Sequence, residues 1–118
     1  NDYNTADGTG ERDYIHISDL IEGHFSALEK INSLSGHSFF NLGTGIKTSV
    51  KELIDTFTSA TGIGIEVEVT DRREGDVEIC YASPKKANET LLWEAKRNLK
   101  DMCRDAWEAI KNEPESFK

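Results

Sequence analysis

The chain has 118 residues, of which 31% are charged and 8% aromatic, with 22 acidic against 14 basic side chains and a net charge of −8. That length is one domain with room for a core, and the aromatic and branched aliphatic content argues against disorder. The negative field repels nucleic acid and anionic membranes, so neither is an expected partner, although a local pair of arginines can still hold a small anion. No apolar run approaches the length of about 18 residues that a membrane span needs, and no signal peptide is expected. Cys80 and Cys103 do not form a CxxC pair, so a cytoplasmic protein with free thiols is expected. The chain opens at Asn1 without Met, which reads as an excised fragment.

Residues 1–11 are polar and carry Asp7-Gly8-Thr9-Gly10, which predicts a loop. A short extended run follows over Arg12–Ile17, and Ser18 or Asp19 can then cap a helix over about 19–31. Leu20, His24, Phe25, Ala27, Leu28 and Ile31 give that helix one semi-apolar face. After a break at Gly36, Ser38–Leu42 reads as a short buried strand ending in Gly43-Thr44-Gly45. Ser49 with Glu52 three residues on is a capping box. The helix it opens carries Val50, Leu53, Ile54, Phe57 and Ala60 on one stripe and stops at Gly62.

Ile63, Ile65, Val67 and Val69 alternate with small or acidic residues, which predicts a half-exposed strand. Thr70–Cys80 is a charged loop. Ser83-Pro84 starts a helix running to about Trp93, with Pro84 at the first helical position. Asn98 caps a last helix whose one face holds Leu99, Met102, Cys103, Ala106, Trp107 and Ile110, with Pro114 beyond its end. The pattern is α/β, with few short strands and about four helices. Helix faces this apolar need a larger sheet or a neighbour to cover them.

Several chemistries find no support. Gly43-Thr44-Gly45 lacks the third glycine of a dinucleotide turn and reads as a tight structural turn. Tyr81 and Lys85 have the spacing of a catalytic Tyr-x-x-x-Lys pair, but Pro84 between them puts Tyr81 ahead of the helix. His16, His24 and His37 have no partner at metal-ligand spacing, and His16 reads as a hydrogen-bonded residue of a buried strand. Asp7, Asp13 and Asp19 are single acids in polar or capping contexts. No catalytic, cofactor-binding or metal-binding residue is therefore expected in this chain.

Two constellations remain. Arg12 is delivered from the glycine loop onto the start of a strand, where its fork can bond a phosphate. In Arg72-Arg73-Glu74-Gly75-Asp76, adjacent arginines diverge so that one reaches inward, and Gly75 permits a turn that brings Asp76 round to a sugar or ribose hydroxyl. Two arginines and a carboxylate could clamp a pyrophosphate-linked sugar. The same residues could equally make surface ion pairs, Arg12 with Asp13 or Arg73 with Glu74, and the chemistry alone leaves both readings open.

Asp7-Gly8-Thr9-Gly10-x-Arg12-Asp13-Tyr14-Ile15-His16-x-x-Asp19-Leu20 resembles a segment of the UDP-glucose 4-epimerases, within the extended short-chain dehydrogenase/reductase family. Phe40–Gly45 with Ser49-Val50, Arg72-Arg73-Glu74-Gly75-Asp76-Val77, Cys80-Tyr81-Ala82 and Leu91-x-Trp93 resemble the same family in the same order, across nearly the whole chain. The resemblance implies a C-terminal nucleotide-sugar-binding domain over 1–118 of a Rossmann-type enzyme whose NAD domain is absent from this chain. By position it implies that Arg12 and Arg73 hold the UDP phosphates, that Tyr14 lies in the nucleotide pocket and that Asp76 bonds the ribose. Glu74 and Gly75 belong to that substrate-binding run, and Cys80 sits beside the hexose, where a small side chain leaves room for an N-acetyl group.

The activity it implies is interconversion of UDP-glucose and UDP-galactose through a transient NAD-dependent 4-keto sugar, in a homodimer, with the isolated chain inactive. A substrate domain of a related 4,6-dehydratase or uronate epimerase, a non-catalytic UDP-sugar-binding module and a protein-interaction domain are the competing readings. The Arg73-Glu74-Gly75-Asp76-Val77 run with Cys80-Tyr81-Ala82 weighs against the first of these.

Overall fold

The computed structural model describes residues 2–112, and Pro114 lies outside them. Four helices and a three-stranded sheet make an α/β unit in the order β1 (Glu11–Arg12), α1 (Ile17–Lys30), β2 (Thr48–Ser49), α2 (Val50–Thr61), β3 (Ile79–Cys80), α3 (Lys85–Leu91) and α4 (Leu99–Asn112). The strand order is β2-β1-β3, with β1 antiparallel to β2 and parallel to β3. The alternation of strands and helices is the expected one, but two of its strands lie elsewhere.

Residues 38–42 and 63–69 form no strand. A strand needs a neighbour's ladder, and neither segment has one among the described residues. Phe39 is 84% exposed, so the expected buried strand is corrected to an open segment, with only Phe40 and Leu42 turned toward the core. The expected charged loop, in turn, ends in β3, whose Ile79 and Cys80 stand opposite Glu11 and Arg12.

Helix α1 starts two residues earlier than expected, and its cap is His16 rather than Ser18 or Asp19. His16 is extended (ψ 136°), and its Nδ1 accepts the Ser18 N–H at 3.0 Å. That bond leaves the ring proton on Nε2, which donates to Asp105 on α4 at 3.2 Å. His16 is buried and hydrogen-bonded as expected, at a helix cap instead of in a strand.

The Ser49 half of the expected capping box forms at α2: Ser49 Oγ accepts the Glu52 N–H at 3.0 Å, and Gly62 closes the helix in the left-handed region at φ 74°. Pro84 is the cap of α3 rather than its first residue, and α3 ends at Leu91. Leu92 then takes a left-handed φ of 56°, and Trp93 turns back to donate its indole N–H to the Asp19 carbonyl at 2.9 Å.

Ala87, Leu91 and Trp93 form the buried core, with Ile15, Ala27, Phe40, Leu42 and Ala95 against it. Helix α1 comes close because Gly23 faces this core: a Cβ there would lie 2.8 Å from Leu42 Cδ1 and 3.1 Å from the Trp93 ring. Asp19, with no exposed surface, ties α1 to the α3–α4 connection. It accepts the Lys96 and Arg97 N–H groups at 3.1 and 2.9 Å and the Arg97 guanidinium. Phe57 of α2 and Trp107 of α4 meet edge to face at 6.2 Å.

Candidate nucleotide-sugar site

The site is built on β1 and β3. Pairing of the two strands puts Arg12 directly opposite Cys80, an exposed thiol. Arg12 is half-buried and folds back on its own sheet, donating to the Glu11 carbonyl at 2.8 Å and the Glu78 carbonyl at 3.4 Å. Among the described residues it forms no ion pair, whereas Arg72, Arg73, Arg97 and Arg104 each hold a carboxylate. A half-buried guanidinium bonded only to carbonyl oxygens keeps donors and a full charge available to an anion.

Asp13 is not the partner of Arg12, because its carboxylate is filled from other directions. Oδ1 accepts the Thr44 N–H at 3.0 Å and the Thr44 hydroxyl at 2.5 Å, while Oδ2 accepts the Gly45 N–H at 2.9 Å and the Ala82 N–H at 3.1 Å. Partial burial works to raise its pKa, and the bonds from Thr44, Gly45 and Ala82 outweigh it and hold the carboxyl below its ordinary range. The Gly43-Thr44-Gly45 turn is thus a structural turn whose anion is internal. Its N–H groups are occupied, so it does not fit a dinucleotide phosphate.

Arg73, Glu74 and Gly75 lie in an exposed turn before β3. Gly75 sits at φ 87°, and the Asp76 N–H donates to the Arg73 carbonyl at 3.2 Å. The turn brings Asp76 round as expected, but onto Arg73 Nε at 3.1 Å. Arg73 therefore pairs with Asp76, not Glu74, and its side chain is 85% exposed. The arginine that turns inward is Arg72. Its guanidinium lies 4.0 Å from the centre of the Tyr3 ring and pairs with Asp2 at 2.7 Å and Glu78 at 3.7 Å.

Tyr14 is half-buried and lines an apolar cleft of about 310 Å³ with Ile15, Phe57, Ile65, Met102 and Cys103. Burial pushes its phenol pKa up, and the nearby Arg12 charge partly opposes the shift. Tyr81 is exposed ahead of α3, with Lys47 rather than Lys85 near its ring, while Lys85 pairs with Glu89 along α3. The two do not form a catalytic pair. Among the described residues no group of His, Cys, Asp and Glu side chains converges as a metal site needs, and no helix is long and apolar enough to cross a membrane.

Asp13 and Asp19 are the residues that a reading of local context undervalues. Each makes its bonds to segments far along the chain, so the only local trace is a carboxylate immediately after the arginine of the first motif or inside the first turn of a helix.

Fold and motifs together define a domain of the extended short-chain dehydrogenase/reductase type. The chain belongs to the family described as GDP-mannose 4,6 dehydratase, whose model matches residues 2–106. Within it, the chain is similar to a UDP-glucose 4-epimerase of Bacillus subtilis, with 50% identity over 107 residues that cover 91% of this chain and 32% of the relative. It is 47% identical to the human UDP-glucose 4-epimerase, covering 99% of this chain and 34% of that protein. The structure of a UDP-glucose 4-epimerase from Stenotrophomonas maltophila with bound NAD and formylated UDP-arabinopyranose superimposes with a TM-score of 0.91 at 39% identity, covering 98% of this chain and 34% of that one. The chain spans about a third of the length of the relatives it matches.

Proposed function

We propose that residues 1–118 form the single C-terminal, UDP-sugar-binding domain of a UDP-glucose 4-epimerase, a cytoplasmic, homodimeric, NAD-dependent isomerase acting on UDP-hexoses. In this reading Arg12 and Arg73 hold the diphosphate, Asp76 bonds the ribose, Tyr14 lines the nucleotide pocket and Cys80 lies beside the hexose. Glu74 and Gly75 shape the turn that carries Arg73 and Asp76.

The observation that carries the reading is Arg12. In a chain with 22 acidic side chains, the half-buried arginine on the central strand β1 is, among the described residues, the one bonded to carbonyls alone, as a receptor for an external anion should be. Arg73 is held by Asp76 and must leave it to reach a phosphate, so ligand binding would exchange an internal ion pair for two ligand contacts. The glycine turn is filled by Asp13, and Tyr81 and Lys85 are apart in role. NAD and the proton-transfer groups therefore belong, in this reading, to the remainder of a longer protein. NAD supplies hydride transfer there, and this domain's part is to orient the sugar toward it.

Exposed apolar surface supports the same view. Ile17, Ile21, Phe25 and Leu28 on α1, with Ile31 just past its end, are 48–63% exposed, and Phe39 and Ile63–Val69 are open as well. Such a surface fits a domain covered by a larger body better than a free-standing binding module.

Calorimetry of UDP binding to the intact protein tests the proposal. Arg12→Ala should weaken UDP binding by about tenfold or more, since a charge-assisted phosphate contact is lost, with Arg73→Ala in the same direction. Undiminished affinity in both variants sinks the site assignment, and no turnover of UDP-glucose or UDP-galactose by the intact protein sinks the activity.

A further inference from the structure

We propose that Asp13 is the positioning residue of this site, an internal carboxylate that sets where Arg12, Tyr14 and Cys80 stand relative to one another. The proposal rests on the reading of Arg12 and its neighbours as a UDP-sugar site.

The ladder itself holds the register weakly. β1 and β3 are two residues each, pairing Glu11 with Ile79 and Arg12 with Cys80. Successive strand residues face opposite sides, so a slip of one position would exchange Glu11 for Arg12 and present a carboxylate where the cation stands. Something outside the ladder has to forbid the slip, and Asp13 is placed to do so. It follows Arg12, it precedes Tyr14, and its Oδ2 takes the N–H of Ala82, two residues past Cys80, at 3.1 Å.

The same carboxylate is anchored from a third segment by two backbone N–H groups and a hydroxyl of the Gly43–Gly45 turn. Converging N–H groups of a turn form an anion receptor, and bonds to a charged acceptor are the stronger kind. The seat has no slack: a Cβ on Gly43 would lie 2.7 Å from Asp13 Oδ2 and 2.5 Å from the Ala82 Cβ. Asp13 therefore touches no ligand and acts through Arg12, Tyr14 and Cys80.

The test is Asp13→Asn in the intact protein, which keeps the size but places an amide N–H₂ against N–H donors. UDP affinity should fall by about tenfold or more with the helical signal intact. Amide hydrogen exchange at Thr44, Gly45 and Ala82 should accelerate, while the Met102 amide of α4 stays unchanged. Chemical rescue separates positioning from general loss of structure. Asp13→Gly leaves three N–H groups and a hydroxyl around an empty carboxylate seat, so added formate should return UDP affinity to within about threefold of the parent. Asp13→Asn, whose seat is filled, should not respond.

Parent-like UDP affinity in Asp13→Asn, or no response of Asp13→Gly to formate, overturns the proposal. If Asp13→Asn does not fold, Thr44→Val, which removes the hydroxyl donor alone, should weaken UDP by about threefold, and an unchanged affinity has the same overturning force. Failure of the parent protein to bind UDP would instead sink the function. The exchange rates at Thr44, Gly45 and Ala82 then still decide the clamp, which falls if Asp13→Asn leaves them unaltered.

Discussion

Asp19 and Arg97 meet at the junction of α1 with the α3–α4 connection, a carboxylate with no exposed surface beneath a guanidinium that remains 35% exposed. Arg97 also reaches Glu22 at 3.1 Å, one helical turn along α1 from Asp19. Because Asp19 further accepts two backbone N–H groups, its charge is compensated in place, and removing the charge strands those donors. Asp19→Asn should therefore destabilise the fold by about 2–3 kcal/mol, read from the urea midpoint. A midpoint equal to the parent's would show that the amide satisfies the same donors.

Acid should unfold the protein through these same carboxylates. Asp13 and Asp19 are both desolvated, which raises their pKa, but the bonds they accept outweigh burial and hold each below the ordinary 3.8. A group whose folded pKa is depressed contributes stability that is complete above its unfolded value and is lost as pH falls through its folded value. The melting temperature should be flat down to about pH 5 and drop below about pH 4. In the Asp13→Asn, Asp19→Asn double variant the acid limb should be shallower, and an acid limb parallel to the parent's would place the sensitivity elsewhere.

Leu92 is strained in a way that substitution can relieve. It occupies the left-handed region at φ 56° with its side chain 78% exposed, so it bears the Cβ penalty with little burial in return. Leu92→Gly should raise stability by about 0.5–1 kcal/mol, the left-handed penalty less the extra chain entropy of glycine. A lower melting temperature in that variant would show that the exposed leucine is packed against something in the intact protein.

Arg12→Lys separates charge from geometry at the proposed phosphate contact. A lysine keeps the positive charge but loses the planar guanidinium, whose Nη1 bonds both the Glu11 and Glu78 carbonyls and whose other nitrogens remain as donors. UDP affinity should fall about tenfold despite the conserved charge, and titration calorimetry at constant salt reads the change. Equal affinity would make Arg12 a point charge only.

In the proposed reading the small side chain of Cys80 leaves room beside the hexose. In the proposed enzyme, Cys80→Tyr should lower turnover of the N-acetylated UDP-hexoses by about tenfold or more relative to UDP-glucose and UDP-galactose. Steady-state rates on both substrate pairs decide it, and unchanged N-acetyl turnover removes Cys80 from the specificity argument.

Much of this architecture was legible in local sequence because its causes are local. Ser49 with Glu52, Gly62 and the apolar stripe of α2 act within a few residues of one another, and the structure follows them. Gly75 likewise makes its turn where expected. The illegible parts depend on partners. Ile63–Val69 has the alternation of a strand and Ser38–Leu42 the apolar content of a short buried one, but neither has a neighbour among the described residues to complete a ladder, so the local pattern overstated them. Ile79 and Cys80, lying in a charged stretch, became a strand because β1 was there to receive them.

At the site, the motif residues were visible and their pairing was not. Nothing in Arg72-Arg73 says which side chain turns inward, and Tyr3 with Asp2 decided it for Arg72. Helix α3 stops before Trp93 because the indole has a carbonyl acceptor on α1, a long-range reason that a propensity argument cannot contain.

The joining of Asp13 to Ala82, 69 residues away in the chain, also has a kinetic consequence. The hydrogen bonds within α1 and within α2 are local and can form early, whereas the β1–β3 pairing must wait for a loop closure across most of the domain. The Asp13–Ala82 link therefore matures after the glycine turn, whose bonds to Asp13 span 31 and 32 residues. In the proposed reading UDP can then stabilise only the completed fold by mass action, and a chain arrested on the ribosome before Ala82 emerges would gain nothing from it.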